Sequence, residues 1–378
     1  MITATGIIAE YNPFHNGHLY QLTKAKTLSG ADAIVCVMSG NFVQRGEAAI
    51  LDKYTRAKHA IKAGADAVIE LPTIFATSPA ELFAKGGVKI LSSIPAVSTL
   101  SFGAELDDSN AFIQTANLLN NEPKEVSNQI KVLLKTGVSY AKARAQAYQG
   151  LVDEKLLSSP NNILGLEYAK SIENTGVSIL PIKRVGGGYN DENLNSEFSS
   201  ATAIRSNLFS EKIKDNLPDF VYQDLPKTTK NQLNLLEKHA ILSKTEEEIK
   251  RVCDCTEGLE NAFKKVAVTG GDFVEELTSQ RYTSSRIKRV ALQNLLGIEE
   301  NLIKNALTSP LYLKVLAINK DKKELLSALS ESEFPLLLRA HDDEKLTPIA
   351  KQVYEKDLFA EKIYNLLYPN NQKQNPFI

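Results

Sequence analysis

The sequence predicts an α/β protein, with a parallel sheet covered by helices in residues 1–210 and a mostly helical region in residues 211–378. Over the first hundred residues, short apolar runs alternate with amphipathic segments, as in a parallel sheet whose strands are joined by helices. After about Leu208 the strand signals mostly vanish and helical periodicity dominates. A chain of 378 residues is also long for one ordinary domain, so we expect two.

The predicted elements follow in chain order. The first strand, at 5–9, is an apolar run with the length and composition of a buried strand, and the segment after it repeats its apolar residues at helical spacing. Further strands are predicted at 33–38, 67–70, 97–102 and 178–182, and helices at 51–63, 79–91, 110–150 and 160–175. A glycine run at 186–188 predicts a turn, and the Pro-, Asn- and Gln-rich tail at 369–378 is expected to be frayed.

Composition indicates a globular, cytoplasmic protein. Hydrophobic residues make up 43% of the chain and charged residues 24%, which is enough to give each region a core. The three cysteines form neither a disulfide framework nor a zinc pattern, which favours a reducing compartment. The N-terminus lacks the pattern of a signal peptide and no apolar run reaches membrane-spanning length, so we expect no membrane partner.

The net charge of −1 does not by itself indicate a nucleic-acid partner, but the charge is unevenly distributed. Residues 281–323 contain nine basic and three acidic side chains, and acidic clusters elsewhere restore neutrality. Such a stretch could present one attractive face to a polyanion. The alternative is a solvated helix surface, which is the commoner origin of a run of charge.

Two of the five histidines, His15 and His18, lie three residues apart on the connection between the first strand and the first helix. Turn signals at Asn12-Pro13 and Asn16-Gly17 mark that connection and place His18 at the start of the helix. Free backbone N–H groups and the helix dipole make this position an anion site, and two imidazoles suit phosphate. A structural pair or a metal site are the alternatives, but no Cys, Asp or third His follows within a dozen residues.

Three further observations point to one site. The polar segments 11–18, 39–45 and 103–105 each follow a predicted strand, and ligands of parallel sheets bind beyond the carboxyl ends of the strands. We therefore expect the three connections to converge. A fourth segment, 198-FSSATAIRS-206, has Ser and Thr residues that can cap a helix and offer hydroxyls to an anion, with Arg205 one turn later.

These residues resemble the nucleotidylyltransferase superfamily, whose members carry a histidine-x-glycine-histidine motif after the first strand and a Ser-Ser-Thr-x-x-Arg segment late in the domain. The string 15-HNGH-18 matches the first motif, and 199-SSATAIR-205 matches the second with one inserted Ala. A closer resemblance, to the bacterial tRNA(Met) cytidine acetate ligase family, covers almost the full chain through the strings AEYNPFHNGH, SGNFVQRGE, GADAVIELP, SFGAE, SPNNILGLEYAK, KRVGGGY, SSATAIR and RYTSSRIKR.

The resemblance implies a Rossmann-like nucleotidyltransferase domain at 1–210 and a mostly helical domain at 211–378 that contributes to tRNA binding. It implies an enzyme that activates acetate with ATP as acetyl-adenylate and passes the acetyl group to the wobble cytidine of elongator tRNA(Met), giving N4-acetylcytidine. The ATP site that it implies comprises Ile7, Ile8, Ala9, Glu10, Tyr11, Asn12, Pro13, Phe14, His15, Asn16, Gly17, His18, Leu19, Tyr20, Gly103, Asn162 and Arg184.

Within that site, His15, His18 and Arg205 are the candidate catalytic residues. We expect the two histidines to hold the triphosphate, with the outer phosphates covered by Ser199, Ser200, Thr202 and Arg205. Mg²⁺ would bridge the same phosphate oxygens, and no metal site built from side chains alone is expected. Contacts to tRNA phosphates are expected from Arg281, Arg286, Lys288 and Arg289, of which Arg286 and Arg289 share a helix face.

Two other functions fit parts of this pattern. A small-molecule adenylyltransferase of cofactor biosynthesis would share the fold and both motifs, but it would not need the long helical region with its basic stretch. A non-catalytic RNA-binding factor on the same scaffold would have no need of both histidines and Arg205.

Overall fold

The computed structural model describes residues 2–138, 140–186, 194, 198–228, 232–338 and 342–369. Gly187 and Gly188 of the predicted turn, and residues 370–378 of the predicted frayed tail, lie outside the described residues. The strands are β1 Ala4–Ala9, β2 Ala33–Ser39, β3 Phe42–Val43, β4 Glu47–Ala48, β5 Ala67–Leu71, β6 Val97–Ala104, β7 Ser178–Lys183, β8 Leu313–Ile318 and β9 Leu336–Leu337. All five predicted strands are therefore present.

Helices join and cover these strands, and two short 3₁₀ turns span Glu211–Asn216 and Asp342–Lys345. The α-helices are α1 Asn16–Ser29, α2 Lys53–Lys62, α3 Thr73–Ala76, α4 Ala80–Ser92, α5 Ser109–Asn120, α6 Lys124–Lys135, α7 Tyr140–Ala147, α8 Glu154–Ser158, α9 Pro160–Ser171, α10 Ala201–Ser206, α11 Asp219–Tyr222, α12 Leu233–Leu242, α13 Glu246–Ile249, α14 Leu259–Thr269, α15 Phe273–Leu277, α16 Ser284–Leu296, α17 Glu300–Thr308, α18 Lys323–Ser330 and α19 Pro348–Leu367. Among these helices, none combines the length and hydropathy that crossing a bilayer requires.

The main sheet has the strand order β7-β6-β1-β2-β5-β8-β9, and β3 and β4 form a separate antiparallel hairpin. From β7 to β5 the neighbouring strands are parallel. The chain proceeds from β1 to β2 and β5 on one side, and then to β6 and β7 on the other, so the strand order reverses between β1 and β6. The crevice beyond the carboxyl ends of the strands at such a reversal is where ligands bind in open α/β sheets.

Both faces of the central strands are buried, which explains why those strands are continuous apolar runs. In β2, the side chains of Val35 and Val37 belong to the core on one face, while Cys36 and Met38 belong to the core on the other. A further core lies among the helices α12–α16. In the C-terminal half, helices α12–α16 therefore pack around a separate hydrophobic core.

Residues 313–367 return to the sheet, which the predicted helical character of 211–378 did not anticipate. Strand β8 pairs antiparallel with β5, and β9 pairs with β8. Lys314 in β8, one of the nine basic residues of the stretch 281–323, is half-buried and forms an ion pair of 2.8 Å with the buried Glu70 of β5. The strand was missed because this lysine breaks its apolar run, and a lysine in a basic stretch is ordinarily exposed.

Helix α19 joins the C-terminal half to the same edge of the sheet. Its Asp357 accepts a hydrogen bond of 2.7 Å from the backbone N–H of Thr73, and the Tyr364 hydroxyl donates to the carbonyl of Ala49 over 2.9 Å. Both contacts are buried. The C-terminal helix therefore supports the segment between β2 and α3, from which part of the cavity described below is built.

Candidate active site

The connection from β1 to α1 turns sharply and brings two histidines to the first turn of the helix. Tyr11 has a φ of 49°, and the peptide bond between Asn12 and Pro13 is cis. His15 is the N-cap of α1, and its Nδ1 accepts a hydrogen bond of 3.1 Å from the backbone N–H of Gly17. His18 forms the reciprocal hydrogen bond, in which its Nδ1 accepts from the backbone N–H of His15 over 3.3 Å. The two side chains thus form a capping box that satisfies N–H groups at the helix start.

The imidazoles of His15 and His18 stack, with ring centroids 3.7 Å apart and planes inclined by 25°. Gly17 permits this arrangement, since a Cβ added there would lie 2.9 Å from Cε1 of His15. Burial, and then the charges of Arg184 and Arg205, lower the pKa of His15 to about 3. Burial, and then His15 and Arg184, hold the pKa of His18 well below its usual value. Both rings are therefore neutral near neutral pH.

The neutral rings have a defined proton position. A ring nitrogen that accepts a backbone N–H must be unprotonated, so each histidine carries its proton on Nε2. Both side chains line the same cavity. They can donate hydrogen bonds to an anion there, but neither has a lone pair left with which to accept a proton.

We expect the free energy of unfolding of the ligand-free protein to fall as the pH is lowered below about 6.5. The unfolded chain protonates His15 near its ordinary pKa of 6.5, whereas the folded protein protonates it only near 3. Because the unfolded state binds more protons within this window, acid favours unfolding there. Urea titrations of the wild type and of His15→Gln should show a smaller acid-induced loss of stability in the variant. Equal losses in the two proteins would contradict the lowered pKa.

The cavity has a volume of about 180 Å³ and lies beyond the carboxyl ends of β1 and β6. The predicted convergence of three connections is confirmed, because residues from 11–18, 39–45 and 103–105 all line it. Its lining comprises Ile8, Ala9, Glu10, Tyr11, Asn12, His15, His18, Gln21, Gln44, Arg45, Phe83, Phe102, Gly103, Asn161, Leu164, Tyr168, Arg184, Ser200, Ala201, Thr202 and Arg205. Gly17, Tyr20 and Ser199 line a smaller adjoining pocket.

Several residues of the predicted ATP site do not line either pocket, namely Ile7, Pro13, Phe14, Asn16, Leu19 and Asn162. Asn162 is fully buried, and its Oδ1 accepts from the backbone N–H groups of Glu105 and Leu106 over 2.9 and 3.2 Å. It therefore fixes the loop after β6, while its neighbour Asn161 faces the cavity. The alternation is a consequence of helix geometry, since consecutive residues of α9 point in directions about 100° apart.

The segment 199–205 contributes Ser200, Ala201, Thr202 and Arg205 to the lining of the cavity. Ser200 is the N-cap of α10, and its Oγ accepts from the backbone N–H of Ala203 over 3.0 Å. Arg205, one turn later, donates from Nη1 to the carbonyl oxygen of Asn12 over 2.7 Å. Arg184, which follows β7, lies on the same cavity with its Nε 3.9 Å from a Glu105 carboxylate oxygen. Two guanidinium groups and two neutral imidazoles therefore surround one space.

Arg56 of α2 connects the strand ends beside the cavity, a role that was not predicted from the sequence. Its guanidinium is fully buried and donates to the carbonyl of Glu10 over 2.5 Å, to that of Ser39 over 3.1 Å, and to that of Gly40. It also donates to the carbonyl of Leu51 over 2.9 Å. Arg56 thus joins the ends of β1 and β2, from which two of the cavity's walls extend. An arginine in an amphipathic helix gives no sequence signal of such a role.

Of the residues predicted to contact tRNA, Arg281 is exposed, whereas the other three contact the protein itself. The expectation that Arg286 and Arg289 share a face is confirmed, since both donate to Asp254, over 3.0 and 3.2 Å. Arg289 is buried and lies 3.5 Å from the carbonyl of Gln44 in the cavity wall.

The Lys288 side chain does not share the face of Arg286 and Arg289, and it forms an ion pair with Glu47 of the β3–β4 hairpin. The approach of α16 to this hairpin is close at Gly46, where an added Cβ would lie 2.5 Å from the backbone nitrogen of Arg289. Helix α16 therefore packs against the hairpin that carries Gln44 and Arg45 into the cavity.

The cavity does not contain a metal cage. Within the described residues, no group of three or more His, Cys, Asp or Glu side chains is placed to hold a metal ion. Glu10 is the carboxylate that lines the cavity in the described part of the chain. One carboxylate does not by itself hold Mg²⁺, which keeps several waters and binds substrate phosphates, so an ion at this site would arrive with a nucleotide and be held through its phosphates.

The parallel sheet and the paired histidines at the helix start define a nucleotidyltransferase of the HIGH type, and the HIGH Nucleotidyl Transferase family model matches residues 2–376. The tRNA(Met) cytidine acetate ligase of Thermoanaerobacter sp. (strain X514) is 41% identical over 97% of this chain and 96% of its own length. That of Acetivibrio thermocellus is 38% identical over 97% of this chain and 95% of its own length. The chain belongs to this tRNA(Met) cytidine acetate ligase family.

Solved structures agree with this assignment. The crystal structure of Thermotoga maritima TmcAL in apo form I is 30% identical, with a TM-score of 0.91, and covers 100% of this chain and 99% of that chain. The structure of the same protein bound with alpha-thio ATP, in form II, is 32% identical with a TM-score of 0.86. It covers 98% of this chain and 95% of that chain.

Proposed function

We propose that this protein is an ATP-dependent ligase that forms acetyl-adenylate from acetate and ATP and transfers the acetyl group to the wobble cytidine of elongator tRNA(Met), making N4-acetylcytidine. The observation that carries the proposal is the cavity in which His15, His18, Arg184 and Arg205 surround one space. It is supported by relatives that bear the name tRNA(Met) cytidine acetate ligase and match nearly the whole chain. A tRNA substrate implies a cytoplasmic enzyme.

Adenylation needs alignment and charge neutralisation rather than covalent help. An acetate oxygen attacks the α-phosphorus of ATP, and the bond to pyrophosphate breaks. The Nε2–H groups of His15 and His18 would donate to phosphate oxygens, while Arg184 and Arg205 would offset the charge that the leaving pyrophosphate gains. Mg²⁺, when bound with the nucleotide, would neutralise further phosphate charge.

The cavity also suits a nucleobase beside the phosphates. Phe83, Phe102 and Leu164 contribute apolar side chains to the lining, and Gln44 and Asn161 contribute amide groups. Small-molecule sites commonly combine apolar side chains with a few placed polar groups. Ser199, Ser200 and Thr202 would contribute hydroxyls on the side of the outer phosphates.

Acetate-dependent exchange of pyrophosphate into ATP, measured with and without tRNA, tests the proposal directly. We expect exchange that requires acetate, and acetylated cytidine in tRNA(Met) when tRNA is present. A cofactor-making adenylyltransferase would show no dependence on acetate, and a non-catalytic RNA-binding factor would bind tRNA without any exchange. Either result would reject the proposed function.

Arg205→Ala should lower acetate-dependent exchange by about 100-fold or more, and it should weaken tRNA binding far less. The guanidinium would act on phosphate oxygens whose charge grows as pyrophosphate leaves. Exchange assays and filter binding measure the two effects, and Arg205→Lys separates the charge from the bond to the Asn12 carbonyl. Arg251→Ala, an exposed arginine paired with Glu299 at 3.6 Å, is the control. Loss of tRNA binding with intact exchange would assign this segment to RNA recognition.

The basic stretch should divide into two functional parts. Arg281→Ala should weaken tRNA binding and reduce its salt dependence by about one unit of slope, as expected for one phosphate contact. Arg289→Ala should instead lower exchange in the absence of tRNA, because Arg289 supports the loop that carries Gln44 into the cavity. Filter binding at several salt concentrations and tRNA-free exchange distinguish the parts. If Arg289→Ala lowers only tRNA affinity, the buried arginine contacts RNA after all.

A further inference from the structure

The described residues that line the cavity include few groups that can accept a proton, although the proposed transfer step releases one. When the cytidine amine attacks the acetyl carbon, the N4–carbon bond forms, the carbon–oxygen bond to AMP breaks, and N4 loses a proton. Adenylation has no such requirement, because acetate is already ionised near neutral pH. A proton acceptor is therefore needed for the second step and not for the first.

Neither histidine can serve as that acceptor. In each ring Nδ1 already accepts a backbone N–H, at 3.1 Å in His15 and 3.3 Å in His18, and Nε2 carries the proton. Burial and neighbouring charges keep the pKa values of both rings far below neutrality, so neither is a useful base. The arginines are permanently charged, and amides are not bases. The histidines, arginines and amides can position and polarise the substrates, but they cannot accept the proton from N4.

Among the described residues that line the cavity, Glu10 is the one that carries a carboxylate. It follows the last residue of β1, so the sheet fixes its backbone directly at the carboxyl edge. Its Oε1 accepts a hydrogen bond of 2.7 Å from the backbone N–H of Gln44, which orients the carboxylate and leaves Oε2 with lone pairs available. Arg56 donates to the Glu10 carbonyl over 2.5 Å and fixes the residue from the other side.

Burial makes Glu10 a stronger base than an exposed carboxylate. Burial raises its pKa above the ordinary value, while the Gln44 N–H bond and the charges of Arg205, Arg45 and Arg56 act in the opposite direction. A general base is most effective when its pKa approaches the working pH. The positive groups that face Glu10 come from α10, the β3–β4 hairpin and α2, so they would also attract an anionic acetyl-adenylate.

We propose that Glu10 is the general base of the acetyl-transfer step, accepting on its carboxylate the proton that the cytidine N4 amine loses as AMP departs. This inference rests on the proposed function. It separates the two half-reactions of one cavity: the histidines and arginines serve chiefly adenylation, and Glu10 serves transfer.

The test compares the two half-reactions in Glu10→Gln. The amide keeps the size of the side chain and an oxygen that can accept the Gln44 N–H, but it cannot accept a proton. Acetate-dependent pyrophosphate exchange measures adenylation, and single-turnover acetylation of tRNA(Met) by preformed acetyl-adenylate measures transfer. We expect transfer to fall about 100-fold or more beyond any change in exchange. Glu10→Asp, which keeps a shorter carboxylate, should transfer faster than Glu10→Gln.

The pH profile provides a readout that a structural role would not change. Wild-type transfer should lose rate on the acid side as Glu10 is protonated, and Glu10→Gln should lack this limb. Equal losses of exchange and transfer in Glu10→Gln, or an unchanged acid limb, would overturn the assignment and leave Glu10 as a nucleotide contact. A wild-type protein that forms no acetyl-adenylate would instead reject the proposed function, so the two failures are distinguishable.

Discussion

Replacing His18 with alanine should reduce acetate-dependent pyrophosphate exchange by about 100- to 1000-fold, the range observed when one preorganised donor to a developing anion is removed. The neutral ring offers its Nε2–H to the cavity because Nδ1 is held by the backbone N–H of His15. The variant loses this donor and also leaves that N–H without its acceptor at the helix start. The lost donor acts in the step in which charge moves onto pyrophosphate.

The fold should survive the His18 substitution. His18 is half-buried at the surface of the site, and the cores on either side of the sheet do not include it. The variant should therefore lose only the helix-cap contact, about 1 kcal/mol of unfolding free energy, and remain folded. His239→Ala removes an exposed histidine of α12 and is the matched control, for which exchange should be unchanged. Wild-type exchange in a folded His18→Ala protein would show that the histidine pair does not act on the nucleotide.

The parts of the site that the sequence predicted correctly are those built from neighbours in the chain. His15 and His18 form a capping box within four residues, and the order of strands and turns locates them at the sheet edge. The convergence of three connections was also predictable, because the carboxyl ends of parallel strands meet at one edge. Local periodicity and topology were sufficient for both conclusions.

The parts that were not predicted depend on contacts between distant segments. Arg56 joins two strand ends through carbonyl groups, which are present at every residue and give no sequence signal. Which of Asn161 and Asn162 faces the cavity depends on the rotation of α9 against the loop after β6. Lys314 and Arg289 look like surface charges in the sequence, yet each is matched with a partner more than thirty residues away. Charge counts along a chain cannot identify such pairs.

Replacing Lys53 with methionine should destabilise the protein by about 3–5 kcal/mol, the usual cost of leaving a buried charge without its partner. Lys53 is almost fully buried, and its Nζ lies 2.8 Å from Glu70 and 3.1 Å from Glu361. Burial alone would lower the pKa of Lys53, but these two carboxylates raise it well above its usual value. Because Glu361 lies on α19, the ion pair also connects the C-terminal helix to α2 and β5.

Two comparisons separate lost charge from lost packing in urea unfolding experiments. Lys85→Met removes an exposed lysine paired with Glu81 at 2.6 Å on one helix, and such pairs contribute about 0.3–0.5 kcal/mol. The double variant Lys53→Met with Glu361→Leu removes a cation and an anion together, leaving Glu70 paired with Lys314 at 2.8 Å. Since the uncompensated carboxylate is then absent, the double variant should be more stable than Lys53→Met alone. If the single substitution costs no more than Lys85→Met, the buried pair does not hold the C-terminal helix to the sheet.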